Sequence, residues 1–110
     1  MSSFEVAPER GEKAHAWLLT ASGAFDTAAT RQFDRTLDDA IGHGARLVTV
    51  DMVGVSFLDS SGVRSLVAGG KRLDELGGRM TVTGLSGAAQ RVLEISGLID
   101  RLTAGPVDDT

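Results

Sequence analysis

Apolar residues are distributed along this chain in two ways. In some stretches they are continuous. His15-Ala16-Trp17-Leu18-Leu19-Thr20-Ala21 is apolar on both faces and is bounded by Ser22-Gly23, and Leu47-Val48-Thr49-Val50-Asp51-Met52-Val53 is β-branched and apolar. Short continuous runs of this kind predict buried strands. Elsewhere the apolar positions recur at helical spacing. Ala29, Phe33, Leu37, Ala40 and Ile41 fall on one stripe, with Arg31, Asp34, Arg35, Asp38 and Asp39 mostly opposite. Arg35 and Asp39, four apart, can pair for about 0.2–0.5 kcal/mol. Asp26 or Thr27 is placed to cap this helix, and Gly42 or Gly44 to end it in the left-handed conformation.

A second helical stripe comprises Val63, Leu66, Val67, Gly70 and Leu73, and Gly77-Gly78 stops it. A short connection, Gly54-Val55-Ser56-Phe57-Leu58, leads into it through Asp59-Ser60-Ser61-Gly62. The interior pair Gly69-Gly70 costs about 2 kcal/mol relative to alanine, which predicts close approach to the sheet or to a neighbouring helix. Arg79 to Gly84 reads as another strand. Ser86 then opens a third helix through Ala89, Val92, Leu93 and Ser96, ending at Gly97, and Leu98 to Leu102 reads as a last short strand. Phe4 and Val6 mark a short strand in the polar segment 1–12, and residues 104–110 read as a frayed tail. The order β-β-α-β-α-β-α-(β) predicts an α/β fold, a mixed sheet with right-handed crossovers, in one domain whose ordered core spans about 4–103.

Composition narrows the function. At 110 residues the chain has a common single-domain length, and its 42% hydrophobic residues suffice for a core. It has no cysteine, which excludes disulfides, thiolate metal sites and a cysteine nucleophile. The formal net charge of −4 gives no overall attraction to nucleic acid or anionic membrane. The apolar runs are too short to span a bilayer, and the Met1-Ser2-Ser3-Phe4-Glu5 start predicts no secretory leader, so a cytoplasmic location is expected. Fourteen glycines against two prolines predict an ordered chain rich in tight turns and helix ends.

The densest cluster of small polar groups is Asp59-Ser60-Ser61-Gly62. Taken alone it is a helix N-cap, whose oxygens accept from the unpaired N–H groups of the first turn. The same place suits a covalent phosphate, because N–H donors and the positive end of the helix dipole meet there. Asp59 would repel that phosphate, and Gly62 would leave room for an incoming backbone. Hydrolase chemistry lacks its parts. The string is not Gly-x-Ser-x-Gly. His15 reads as a strand-face or core residue, and His43, between Gly42 and Gly44, as a solvated helix end. No histidine–carboxylate group has metal-ligand spacing, and no phosphate-loop or dinucleotide pattern occurs, so no metal or cofactor is expected. Asp100, Asp108 and Asp109 read as solvated charges.

Three segments, in order and spacing, resemble the STAS domain, the fold of bacterial anti-sigma factor antagonists. They are Gly23-Ala24-Phe25-Asp26, the stretch from Val50 through Asp51-Met52-Val53-Gly54-Val55-Ser56-Phe57-Leu58 to Asp59-Ser60-Ser61-Gly62, and Ile95-Ser96-Gly97-Leu98. The resemblance covers about residues 13–102. It implies a four- to five-stranded mixed sheet with helices packed mainly on one face, and no catalysis. It further implies that the unphosphorylated form binds an anti-sigma factor that is also a serine kinase, freeing the sigma factor. Phosphorylation then breaks the complex, and a metal-dependent serine phosphatase restores it. The modified serine maps to Ser61, with Asp26, Asp59, Ser60 and Gly62 framing the partner surface. The chain departs from the pattern at Ala24, where the family often carries an acid, and after Gly105-Pro106, where too few residues remain for the family's closing amphipathic helix. Other STAS branches keep the fold and change the partner. They include the small subunit of lipid-transport ABC systems and stress-complex scaffolds. A small enzyme would require a base near Ser61.

Overall fold

The structure is a computed structural model that describes residues 4–13 and 15–85. Its elements are β1 (Glu5–Arg10), β2 (Ala16–Phe25), α1 (Thr27–Gly42), β3 (Leu47–Leu58), α2 (Ser60–Glu75) and β4 (Arg79–Thr83). The strands form one sheet in the order β1-β2-β3-β4. β1 pairs antiparallel with β2 across a short link, and β2–β3 and β3–β4 pair in parallel. Each parallel pair is joined through a helix, as a parallel connection requires. The mixed sheet expected from the sequence is therefore present. The expected third helix, closing strand and tail, with Ile95 to Leu98, lie outside the described residues.

Two strands run further than their patterns predict. β2 continues through Ser22-Gly23 to Phe25, and β3 continues through residues 54–58, which the pattern assigns to a connection. The cause is bulging. From Thr20↔Asp51 to Ser22↔Gly54, β2 advances two residues while β3 advances three, and from Gly23↔Val55 to Ala24↔Phe57 one against two. Each extra residue re-phases β3, so its buried positions pass from alternation (Val48, Val50, Met52) to a spacing of three (Val55, Leu58). Gly23, at φ +88, supplies the left-handed backbone beside the irregularity.

Both helices pack against the sheet and each other. α1 buries the five residues of its expected stripe, and Phe33 sits 5.2 Å from the Phe25 ring, centroid to centroid. Burying one such side chain contributes about 1.5–3 kcal/mol. α2 buries Val63, Ser65, Leu66, Gly69 and Leu73, whereas Val67 and Gly70 are only half-buried. The expected stripe is thus corrected by one residue, from Gly70 to Gly69. A β-carbon on Gly69 would lie 2.7 Å from Leu37 Cδ2 and 2.9 Å from Met80 Cε. That glycine lets α2 approach α1 and β4 together, which offsets its helix penalty of about 1 kcal/mol. Among the described residues the ion pair is Arg72 of α2 with Asp38 of α1, which joins the two helices, and the Arg35–Asp39 pair expected within α1 is not formed. His43 caps the C-terminus of α1, and Gly44, at φ +99, takes the left-handed turn. Among the described residues no helix is long and apolar enough to cross a membrane.

Candidate functional site

The parallel register places two strand ends side by side, since Phe25 of β2 is opposite Leu58 of β3. The next residue in each case is an aspartate that opens a helix, so the two helix N-termini emerge together at one edge of the sheet. Asp26 Oδ1 accepts from the Ala29 N–H at 3.0 Å, and Asp59 Oδ1 accepts from the Gly62 N–H at 3.0 Å. Both caps have extended backbones. The Asp59 N–H also donates to the Phe25 carbonyl at 3.4 Å, tying one junction to the other.

Because Asp26 serves as the cap of α1, the Thr27 hydroxyl is free to turn sideways. It meets Ser61 across the helix pair, Oγ1 to Oγ, at 2.8 Å. Ser61 is partly exposed and Ser60 is exposed. The Ser61 hydroxyl stands at the head of a recess of about 370 Å³ between α1 and α2, lined by Thr27, Thr30, Asp34, Ser61, Arg64, Ser65 and Ala68. A hydroxyl placed there reaches solvent while its helix is held below. It can take a charged group near the first-turn N–H donors without opening the core.

Asp26, Asp59, Ser60 and Ser61 are thus gathered at one edge. Gly62 is not part of that surface, which corrects its expected role. It is buried, and a β-carbon on it would fall 2.6 Å from Leu58 Cδ1, 2.7 Å from the Phe25 carbonyl oxygen and 3.0 Å from Phe25 Cδ1. Its bare α-carbon lets α2 seat on the end of β2, and it makes no room for a visitor. Three neighbours escape sequence reasoning. Thr27 and Arg64 acquire meaning only when α1 and α2 lie together, and Phe57 is 51% exposed just before the cap.

Neither histidine can serve Ser61 as a base. His43 lies at the far end of α1, whose sixteen residues at about 1.5 Å each separate its ends by about 24 Å. His15 is an exposed turn residue ahead of β2, not a strand residue, and its Nδ1 lies 3.1 Å from the Gly44 carbonyl at that same far end. Among the described residues, no group of three or more His, Cys, Asp or Glu side chains could hold a metal ion.

The family model described as "Mlab, STAS domain" matches residues 9–104. The chain belongs to the STAS domain family. No curated protein sequence matches it. Among solved structures it is similar to the anti-sigma factor antagonist SpoIIAA in its unphosphorylated form, at 22% identity and TM-score 0.74, over 96% of this chain and 100% of that one. SpoIIAA of Bacillus in the phosphorylated form matches at 20% identity and TM-score 0.70, over 98% and 92%. An anti-sigma factor antagonist from Mycobacterium paratuberculosis matches at 21% and 0.80, over 97% and 90%. The murine anion transporter Slc26a9 matches at 14% and 0.69, over 91% of this chain and 19% of that one. Identities this low carry the fold, which is the STAS fold.

Proposed function

We propose that this STAS domain is an anti-sigma factor antagonist switched by phosphorylation of Ser61. Unmodified, it binds an anti-sigma factor with serine kinase activity, and the sigma factor is released. The kinase then transfers the γ-phosphoryl group of ATP to Ser61 Oγ. The bond from the γ-phosphorus to the bridging oxygen breaks, ADP leaves, and the hydroxyl proton passes to the kinase. A serine phosphatase hydrolyses the ester and restores the binding form. Asp26, Asp59 and Ser60 frame the contact surface, and Phe57 adds an apolar anchor to it. The domain acts as a binding module, not as an enzyme, and works in the cytoplasm.

The observation that carries this reading is the position of the Ser61 hydroxyl. It is partly exposed at the joined N-termini of two capped helices and is bonded to Thr27 Oγ1. Phosphate there takes the net charge from −4 to about −6. A helix N-terminus favours an exposed anion by about 0.3–1 kcal/mol, so the fold tolerates it. A partner that covers the neutral hydroxyl would instead have to desolvate a dianion, at a cost of several kcal/mol. Incubation with a kinase-type anti-sigma factor and ATP, followed by mass spectrometry, tests the assignment. Phosphate on Ser61 is expected, and phosphate elsewhere with Ser61 unmodified overturns it.

A second reading is a STAS subunit of a lipid-transport ABC system or a stress-signalling scaffold, without phosphorylation. The match to the Mlab model and the likeness to a transporter's chain favour it. It predicts a stable complex that Ser61→Asp leaves intact, whereas the switch predicts that this substitution abolishes binding.

A further inference from the structure

We propose that Arg64 is the counter-ion of the phosphoryl group on Ser61, holding it over the recess between α1 and α2. The inference rests on the reading of Ser61 as phosphoacceptor. Arg64 follows Ser61 by three residues in α2, a spacing that makes helical side chains neighbours. Both line the recess, and Arg64 is the cation among its described lining residues. Arg64 is exposed, and among the described residues it pairs with no carboxylate, whereas Arg72 further along the same helix is tied to Asp38.

The surroundings make that cation matter. Asp34 lines the recess from α1, and the capping carboxylates of Asp26 and Asp59 stand at the helix starts. A phosphoserine dianion faces these three like charges and one guanidinium. Without Arg64 it would swing out into solvent. With Arg64 it is drawn over the recess, where the Thr27 hydroxyl, which now meets an ester oxygen bearing no proton, turns its own hydrogen to a phosphoryl oxygen. The unmodified domain presents a neutral hydroxyl and a free arginine to its partner, and the modified domain withdraws both at once.

The test is a ³¹P NMR pH titration of the full chain with phosphoserine placed at position 61 by genetic encoding. The midpoint of the second ionisation is expected to lie about half a unit or more lower in the wild type than in Arg64→Gln, because a facing cation favours the dianion while Asp26, Asp34 and Asp59 oppose it equally in both. Arg64→Lys should retain part of that difference. Equal midpoints for the wild type and Arg64→Gln overturn the proposal. Since the phosphate is installed during synthesis, failure of a kinase to modify Ser61 leaves this test intact. Conversely, a midpoint indifferent to Arg64 removes the counter-ion and leaves the switch standing.

Discussion

Gly62→Ala separates packing from partner access at the centre of the site. The added methyl would sit 2.6 Å from Leu58 Cδ1, where non-bonded carbons prefer about 3.5–4.0 Å. The leucine methyl can rotate away from such an overlap. The Phe25 carbonyl oxygen, 2.7 Å from the methyl, cannot, because it belongs to the backbone and receives the Asp59 N–H. The start of α2 must therefore shift away from β2. Overpacking of this kind costs about 1–3 kcal/mol, and alanine's better helix propensity returns up to about 1 kcal/mol. Because the carbonyl cannot yield, the cost falls in the upper part of that range and the net loss is about 1–2 kcal/mol, which lowers Tm by roughly 4–9 °C in a domain of this size. Urea and thermal denaturation of the variant measure it. A Gly62→Ala protein as stable as the wild type would show that the glycine stands in open space, and the account of how α2 seats on β2 would fail.

Asp59→Ala and Asp26→Ala each remove a capping carboxylate, and each should lose about 1 kcal/mol in urea denaturation; unchanged midpoints would mean the caps carry no stability. Gly42→Ala, in the last turn of α1 with nothing within 4 Å of the new methyl, should gain about 0.5–1 kcal/mol in the same assay, and a loss would contradict the open surface there. Phe57→Ala should cost only about 1 kcal/mol of stability, since the ring is half exposed, yet weaken binding of a kinase-type anti-sigma factor about tenfold or more by calorimetry on the folded protein. Full affinity in that variant would remove Phe57 from the contact surface.

Much of this architecture can be read from residue patterns where local chemistry and tertiary packing agree. The stripe of α1, the strand at Leu47–Val53 and the aspartate before each helix are of that kind. The rest depends on distances the chain does not encode locally. The end of β3 looks like a connection because two bulges against β2 break the period-two alternation. The pair Gly69-Gly70 signals a close approach, but which glycine makes it depends on the rotation of α2 against Leu37 and Met80. Asp59-Ser60-Ser61-Gly62 is recognisable as a string, and the string implies an exposed role for Gly62. Only the parallel register of Phe25 and Leu58 shows the glycine facing inward and Ser61 facing Thr27, thirty-four residues earlier.

The central claim is that a phosphoryl group on Ser61 changes what the domain binds and not how it folds. One paired measurement tests it most directly: the affinity of the unmodified and Ser61-phosphorylated chains for a kinase-type anti-sigma factor, with Tm recorded on the same samples. The account predicts that phosphorylation weakens binding by about a hundredfold or more while Tm moves by no more than a few degrees. Equal affinities, or a loss of binding that follows a collapse in Tm, would contradict it.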